Sequence, residues 1–441
     1  MFKRNRRFVT TLLALTMILS LLAGCGGSKP AEKKEEPAAS QPAPAPKKVT
    51  ITWWHLWTGE PEAKWQAIAD AYTKANPHVT IEISVLENEA FKQKIATAMQ
   101  SGSPPDLFNS WGGGGLREYA KAGLLKDITA DLNKDGWLAT LANADMMTSD
   151  GKYYGVPVNV GMVGFWYNKA LFAKAGIQAP PKTWDEFLSA VQKLKAAGIT
   201  PIALGEGEKW PGAFYWEYLA LRIGGKDAFV KAYTRSGGKF SDPAFVEAGK
   251  KLQELIALKP FQDGFLGATF AEESTLVATE KAAMELMGHW ALYSMRDNSP
   301  DKKGLGDKLG WFPFPMVAGG KGDPNDALGG GDGIAVGKNA PPEAVDFLRF
   351  LTKVENLKPL VEGNNIVPVT KGAEQYVTDP VMKELVVTKA KAPYLQLYYD
   401  QFLPPASGAA VNDHVQNLFA GKMTPEQAAQ EIEKAAAADL K

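Results

Sequence analysis

Cysteine is nearly absent from this 441-residue chain. Cys25 stands alone, which excludes an intrachain disulfide and a zinc site built from several cysteines. Histidine is scarce too: residues 55, 78, 289 and 414, none three or four positions from another, so paired metal ligands at helical spacing are missing. Neither sign of charge is in excess. The 49 Lys and Arg balance 49 Asp and Glu, which argues against a nucleic-acid binder, whose basic surplus is its electrostatic footprint. The patterns G-x-x-x-x-G-K-[ST], G-x-S-x-G and H-E-x-x-H do not occur, so nucleotide, serine-hydrolase and zinc-protease chemistry has no visible anchor. Hydrophobic runs are short: residues 8–22 are the longest, below the roughly 18 residues of a membrane-spanning helix.

What remains is a globular composition, 45% hydrophobic and 22% charged. Roughly 150 residues per domain then gives a prior of two or three domains. The first seven residues carry Lys3, Arg4, Arg6 and Arg7, and the apolar stretch 8–22 follows. Basic then apolar is the order of a secretory signal. Leu22-Ala23-Gly24-Cys25 resembles a bacterial lipobox, which implies cleavage before Cys25 and a lipid on its sulfur. No acid stands in 1–24, so the remainder carries a formal −4. Residues 26–48 are rich in Pro, Ala and charge and hold no large apolar residue, so they cannot bury enough surface to fold and read as an extended tether.

From Val49 the pattern is α/β. Val49–Trp54 predicts a strand, 62–75 a helix with Trp65, Ile68, Ala69 and Tyr72 on one face, and 79–85 an alternating strand. A second helix through Phe91, Ile95 and Met99 and a short strand at 106–109 complete a βαβαβ order, which predicts a mostly parallel sheet. Ligands of such sheets bind beyond the strands' carboxyl ends, here the loops 55–60, 86–89 and 109–115. Thr183-Trp184-Asp185-Glu186 is a capping box. Further strands are expected at 153–157, 164–168, 202–205, 283–287 and 333–336, further helices at 211–223, 243–258 and 342–353, and the last helix opens at Thr424-Pro425-Glu426. Two glycine runs, 112–115 and 329–333, mark places where backbone must approach something closely. Asp323, Asn325 and Asp326 lack the glycine and the distal glutamate of a calcium loop.

The 12 tryptophans are the most informative feature. Trp57, Trp111, Trp210 and Trp290 sit in polar or glycine-rich loops rather than on helical faces, unlike Trp65 and Trp184, which read as packing residues. A loop indole is a rigid apolar plate with one donor, matched to the C–H face of a sugar ring. Carboxylates and amides accept and donate to the ring's hydroxyls. Acids available for that role include Glu206, Glu208, Glu272, Glu273, Asp332 and Asp400.

The signal, lipobox and tether precede Ile51-Thr52-Trp53-Trp54-His55. Next come Asn76-Pro77, Pro105-Asp106-Leu107-Phe108, Tyr154-Gly155-Val156-Pro157, Thr183–Phe187 and Met287-Gly288-His289-Trp290. In that order they resemble the family 1 extracellular solute-binding proteins of bacterial ABC importers, the maltose-binding-protein-like group. Asn109–Gly113 and Tyr398–Gln401 resemble members that bind xylobiose or raffinose-type oligosaccharides. The resemblance implies a two-lobed type II binding-protein fold, each lobe a mostly parallel sheet flanked by helices. The lobes are expected at 49–158 plus 284–328 and at 159–283 plus 329–441, with crossings near Val158-Asn159, Met284 and Leu328. It implies a site of Trp57, Asn109 and Trp111 from the first lobe, with Trp290 where the chain re-enters it. Glu206, Trp210, Asp332 and Asp400 would come from the second. It also implies an oligosaccharide ligand, permease subunits with their ATPase as partners, and a monomer lipid-anchored outside the cytoplasm. No cofactor, metal or covalent chemistry is expected. The alternatives left open are a lipid-anchored glycoside hydrolase and a binder of iron, polyamine or another small solute.

Overall fold

The computed structural model describes residues 47–440, which belong to one compact unit. The expected signal, Cys25 and all but the end of the tether lie outside the described residues. Strand β1 (Val49–His55) buries alternate residues, Ile51, Trp53 and His55, as β-branched and aromatic residues on a half-buried strand should. Gly59, at φ 73°, turns the chain into helix α1 (Glu60–Ala75), whose Pro61 sits in the first turn where a missing N–H costs nothing. Trp65, Ile68, Ala69 and Tyr72 form its buried stripe. Strand β2 (Val79–Val85) lies parallel to β1. Helix α2 (Asn88–Gln100) leads to β3 (Leu107–Ser110), parallel on the other side of β1. The predicted βαβαβ order is therefore present, and the loops after β1, β2 and β3 share one rim.

Helix α3 (Gly113–Lys121) starts inside the first glycine run. Helix α4 (Thr129–Asn133) and the small pair β4 (Thr148–Ser149) and β5 (Lys152–Tyr153) lead to β6 (Gly155–Met162), buried along its whole length. After Val163 the chain leaves the first sheet as β7 (Gly164–Asn168).

The second sheet is built around that strand. Helices α5 (Lys169–Lys174) and α6 (Trp184–Ala196) follow, the latter opened by the predicted Thr183–Glu186 capping box. Next come β8 (Thr200–Ile202), α7 (Trp210–Tyr233), α8 (Pro243–Ala257) and α9 (Phe270–Ala278). Strand β9 (Ala282–Met287), helix α10 (Ala291–Asn298) and β10 (Leu309–Phe312) complete it, in the order β10-β7-β9-β8. The interior is aromatic: the Tyr218 and Phe314 rings stack at 4.6 Å, and Phe165 stacks on Phe312 at 5.0 Å.

Strand β11 (Ala327–Val336) returns to the first sheet, antiparallel to both β3 and β6. Helices α11 (Pro342–Leu351) and α12 (Val354–Glu362) pack on α1. Helix α13 (Pro380–Lys391) packs on β10, and β12 (Leu395–Leu397) pairs with the start of β11. A short α14 (Tyr399–Phe402) precedes α15 (Pro405–Phe419) and α16 (Pro425–Asp439), which close over α7 and α8.

Two expectations change. The sheets are mixed rather than mostly parallel: β11 runs antiparallel to β3 and β6 but parallel to β12, and β7 runs antiparallel to both β9 and β10. The expected segment bounds also do not follow the sheets. β9 and β10, assigned to the first lobe, hydrogen-bond to β7 and β8, and β11, assigned mostly to the second, pairs with β3. Met284 is no crossing. It lies in the middle of β9, opposite Tyr167 and Ile202. A short apolar strand such as Ala-Met-Glu-Leu-Met fits the centre of either sheet, so its pairing partner is set by tertiary packing, not by local pattern.

Candidate functional site

A cavity of about 400 Å³ lies where the loop rims of the two lobes face each other. The first lobe contributes Trp57 and Thr58 after β1, Glu87, Asn88, Glu89 and Lys92 at the start of α2, and Trp111 after β3. The second contributes Glu208 and Trp210 at the start of α7, Thr269 and Phe270 at the start of α9, and His289, Trp290 and Tyr293 after β9. Asn159 of β6, Gly330 and Asp332 of β11, and Tyr398, Asp400 and Gln401 lie between them.

The second lobe's wall is a run of aromatic rings. Trp210 lies 5.5 Å from Phe270 and 6.2 Å from Trp290, Trp290 lies 6.4 Å from Tyr398, and Tyr398 lies 5.0 Å from Phe214. The Trp210–Trp290 and Trp290–Tyr398 pairs meet at 63° and 76°, the edge-to-face packing that ring quadrupoles favour, so the rings brace one another. Glu208 fixes the first of them. Its Oε2 accepts from Trp210 Nε1 at 3.0 Å, and its Oε1 accepts from the Phe270 N–H at 3.0 Å. Across the cavity Trp111 is half-buried, edge-on to Phe91 at 5.8 Å, with the Lys92 ammonium 5.9 Å from its ring centre.

Five carboxylates line the cavity (Glu87, Glu89, Glu208, Asp332, Asp400) against one lysine, which is an acceptor-rich wall. Asp332 Oδ2 accepts from Asn159 Nδ2 at 2.8 Å, and Asn159 Oδ1 in turn accepts from the Val367 N–H at 3.1 Å. Burial pushes the Asp332 carboxyl up, and the Asn159 amide works against that push. Burial raises Asp400 likewise, opposed by the Lys92 charge and by Asn412 Nδ2, which donates to Asp400 Oδ2 at 3.1 Å. His289 is lowered to about 3 by burial, so it is a neutral ring at physiological pH. Three buried polar atoms on cavity-lining residues have no partner among the described residues: Tyr398 Oη, His289 Nδ1 and Asn365 Nδ2. Buried groups of this kind are normally satisfied, so a ligand with hydroxyls at those points completes them.

Of the residues expected at the site, Trp57, Trp111, Trp210, Trp290, Asp332 and Asp400 line this one cavity. Trp57 does so in a different manner. It is 3% exposed and stacks on Trp65 at 4.5 Å, so it is chiefly a core ring with a margin at the cavity. Trp290 arrives from β9 of the second sheet, not from a re-entry into the first lobe. Asn109 is not among the residues lining this cavity and belongs to an adjoining one behind Trp111.

Glu206 lines neither cavity and is 0% exposed. It is tucked beneath the first turn of α7, where a Cβ on Gly212 would come within 1.9 Å of its carboxylate. Burial raises its pKa well above the ordinary value, opposed by a backbone hydrogen bond from Gly212 and by the Lys209 charge. Glu208, two residues on, takes the surface position instead, because the 3₁₀ turn Glu206–Glu208 reverses which side chain faces out. Asn365 and Tyr293 carry no signal in the sequence as site residues, Asn159 is marked there only as a crossing, and Tyr398 only through the Tyr398–Gln401 resemblance. They come from a strand, two loops and a helix with no shared motif.

The glycine runs have steric roles. Cβ atoms on Gly113 and Gly114 would come within 2.2 and 1.9 Å of the Gln401 and Leu403 carbonyl oxygens. Gly330 leaves room for the Tyr398 ring, 2.4 Å from where its Cβ would be.

The family model described as bacterial extracellular solute-binding protein matches residues 57–358. An uncharacterized ABC transporter extracellular-binding protein of Pyrococcus horikoshii is 28% identical over 99% of this chain and 97% of its own length. The multiple sugar-binding protein of Streptococcus mutans is 26% identical, with 84% of each chain covered. Among solved structures, one from a study of xylan utilization by Caldanaerobius polysaccharolyticus is 32% identical, with a TM-score of 0.81 over 87% of this chain and 99% of that one. A chitin oligosaccharide binding protein is 29% identical, with a TM-score of 0.83 over 89% and 99%.

Proposed function

Starting from the fact that this chain belongs to the bacterial extracellular solute-binding proteins, we propose that it captures an oligosaccharide between its lobes and hands it, unaltered, to the permease of an ABC importer. Its tether would hold it outside the cell membrane through a lipid on Cys25. The observation that carries this proposal is the pairing of aromatic and polar groups in one cavity. Trp111, Trp210, Trp290 and Tyr398 offer ring faces, while Asp332, Asp400 and the unpartnered Tyr398, His289 and Asn365 atoms offer hydrogen bonds. A sugar ring needs both at once. The acceptor excess disfavours an anionic solute. The strands β6 and β11, which lie beside each other where the chain passes between the sheets, would serve as the hinge. Closure is driven only by a ligand that touches both lobes, since equal affinity for open and closed forms shifts nothing.

The same carboxylate excess favours one competing ligand, a polyamine cation. Calorimetry of the chain from Gly26 onward with xylo-, malto- and raffinose-series sugars and with spermidine separates the two. The expected result is one-to-one binding of one sugar series, with the sugar recovered intact after long incubation. Spermidine binding without sugar binding overturns the proposal, and cleavage products would mark a hydrolase instead.

A further inference from the structure

A second chamber of about 430 Å³ adjoins the first on the far side of Trp111. Six residues line both: Glu89, Lys92 and Trp111 from the first lobe, and Glu208, Asp400 and Gln401 from the second. Apolar side chains of the first lobe form much of the far chamber, notably Phe91, Phe108, Leu116 and Tyr119. Its outer wall is helix α15, through Ala409 and Asn412.

The far chamber repeats the chemistry of the near one. Asn109 is 2% exposed, and among the described residues no group meets its amide oxygen or nitrogen at hydrogen-bond geometry. It does stand near enough to Asp332 to counter the upward push of burial on that carboxyl. An amide can donate twice and accept through two lone pairs, so capacity beyond the Asp332 side is left for a ligand. Asn412 Oδ1 is likewise without a partner. The lysines here are already neutralised: Lys92 pairs with Glu89 at 2.8 Å and Lys209 with Asp413 at 2.6 Å. The chamber therefore suits a neutral, hydroxyl-rich group rather than an acid.

Resting on the oligosaccharide proposal, we infer that the two chambers are successive subsites for one linear, neutral oligosaccharide of three or more units. The chain threads between Trp111 and Lys92 on one side and Glu208 and Asp400 on the other, so its middle touches both lobes. Asn109 and Asn412 receive the hydroxyls of its far end.

Calorimetry of the chain from Gly26 onward with xylo- and chito-oligosaccharides, from the disaccharide to the pentasaccharide, tests this. Affinity in the accepted series is expected to rise at least tenfold from the disaccharide to the tetrasaccharide. Ala409→Trp fills the far chamber, and Asn412→Ala removes a polar group from it. Both should abolish most of that gain, and Ala409→Trp should leave disaccharide affinity unchanged, with unaltered thermal unfolding of the free protein as the folding control; Asn412→Ala also removes the donor to Asp400 Oδ2 and is therefore read on the ratio of tetrasaccharide to disaccharide affinity. Equal affinity for all lengths, or variants that leave the tetrasaccharide untouched, overturns the inference while the function stands. If no sugar binds at all, the oligosaccharide proposal falls and takes this inference with it.

Discussion

Trp290→Ala removes the ring that links Trp210 to Tyr398 along the aromatic wall. A sugar stacked on one indole face covers on the order of 80 Å² of apolar surface, which at about 25 cal/mol per Å² gives roughly 2 kcal/mol. At about 1.4 kcal/mol per factor of ten, that weakens Kd by roughly thirtyfold. The same number has a second readout. Ligand at a hundred times the wild-type Kd stabilises the folded state by about 2.7 kcal/mol, whereas a thirtyfold weaker complex gains only about 0.9 kcal/mol at that concentration. Calorimetry and ligand-dependent thermal unfolding should therefore agree. Unliganded stability must be measured beside them, because the two edge-to-face pairs are each worth about 0.5–1.5 kcal/mol and are lost as well. Trp290→Phe, which keeps a smaller plate, should fall between wild type and alanine. An alanine variant that folds and binds its sugar with unchanged affinity would falsify the stacking argument.

Other consequences of the structure are open to measurement. Glu285 and Glu273 are fully buried beside each other in the second lobe, and among the described residues neither carboxyl oxygen of Glu285 has a partner. Desolvation raises both pKa values above the ordinary 4.5. Above the unfolded value the native state then holds protons that the unfolded chain releases, so stability falls as pH rises through that window, by up to about 1.4 kcal/mol per pH unit per group. Unfolding temperatures measured upward from pH 5 should decline, and Glu285→Gln should flatten the decline; a parallel curve would refute the assignment. Gly114→Ala places a methyl against the Leu403 carbonyl oxygen. Overpacking of this kind costs about 1–3 kcal/mol, and because Asp400 and Gln401 lie on the displaced segment, denaturant titration should show lost stability and calorimetry weaker binding together. A variant as stable as wild type would mean that the segment yields freely. Arg296 of α10 pairs with Glu60 of α1 at 2.8 Å and stands outside the cavity. A half-exposed pair is worth about 0.2–1 kcal/mol, so Arg296→Ala should weaken ligand binding by no more than a few-fold, and a larger loss would place Arg296 in the site.

Local signals carried the fold a long way. Trp65, Ile68, Ala69 and Tyr72 announce α1 because a helix must bury one stripe, and Thr183 with Glu186 announces α6 because its first N–H groups need acceptors. What pattern could not convey is which strands meet. β9 looks the same in either sheet, and its place beside β7 and β8 is decided by contacts far away in sequence. The site divides in the same way. A tryptophan in a polar loop is conspicuous, so Trp111, Trp210 and Trp290 could be found. Glu206 and Glu208 are equivalent on paper, and only the 3₁₀ turn and the tight approach of Gly212 decide that one is entombed and the other half-buried at the cavity. Trp57 was conspicuous for the same reason as the others, yet a second indole at Trp65 lies within stacking distance and draws it into the core.

The pairing of β6 with β11 slips register between Asp332 and Gly333, and Asp332 faces the cavity from that slip. On the hinge proposed above, its carboxylate would ride on the joint itself rather than on either jaw. A swivel about these strands would turn the carboxylate against Trp111 and Trp210 alike. A solute anchored to Asp332 and to either ring would thereby be coupled to the angle between the halves, like a key whose bit is cut on the axle.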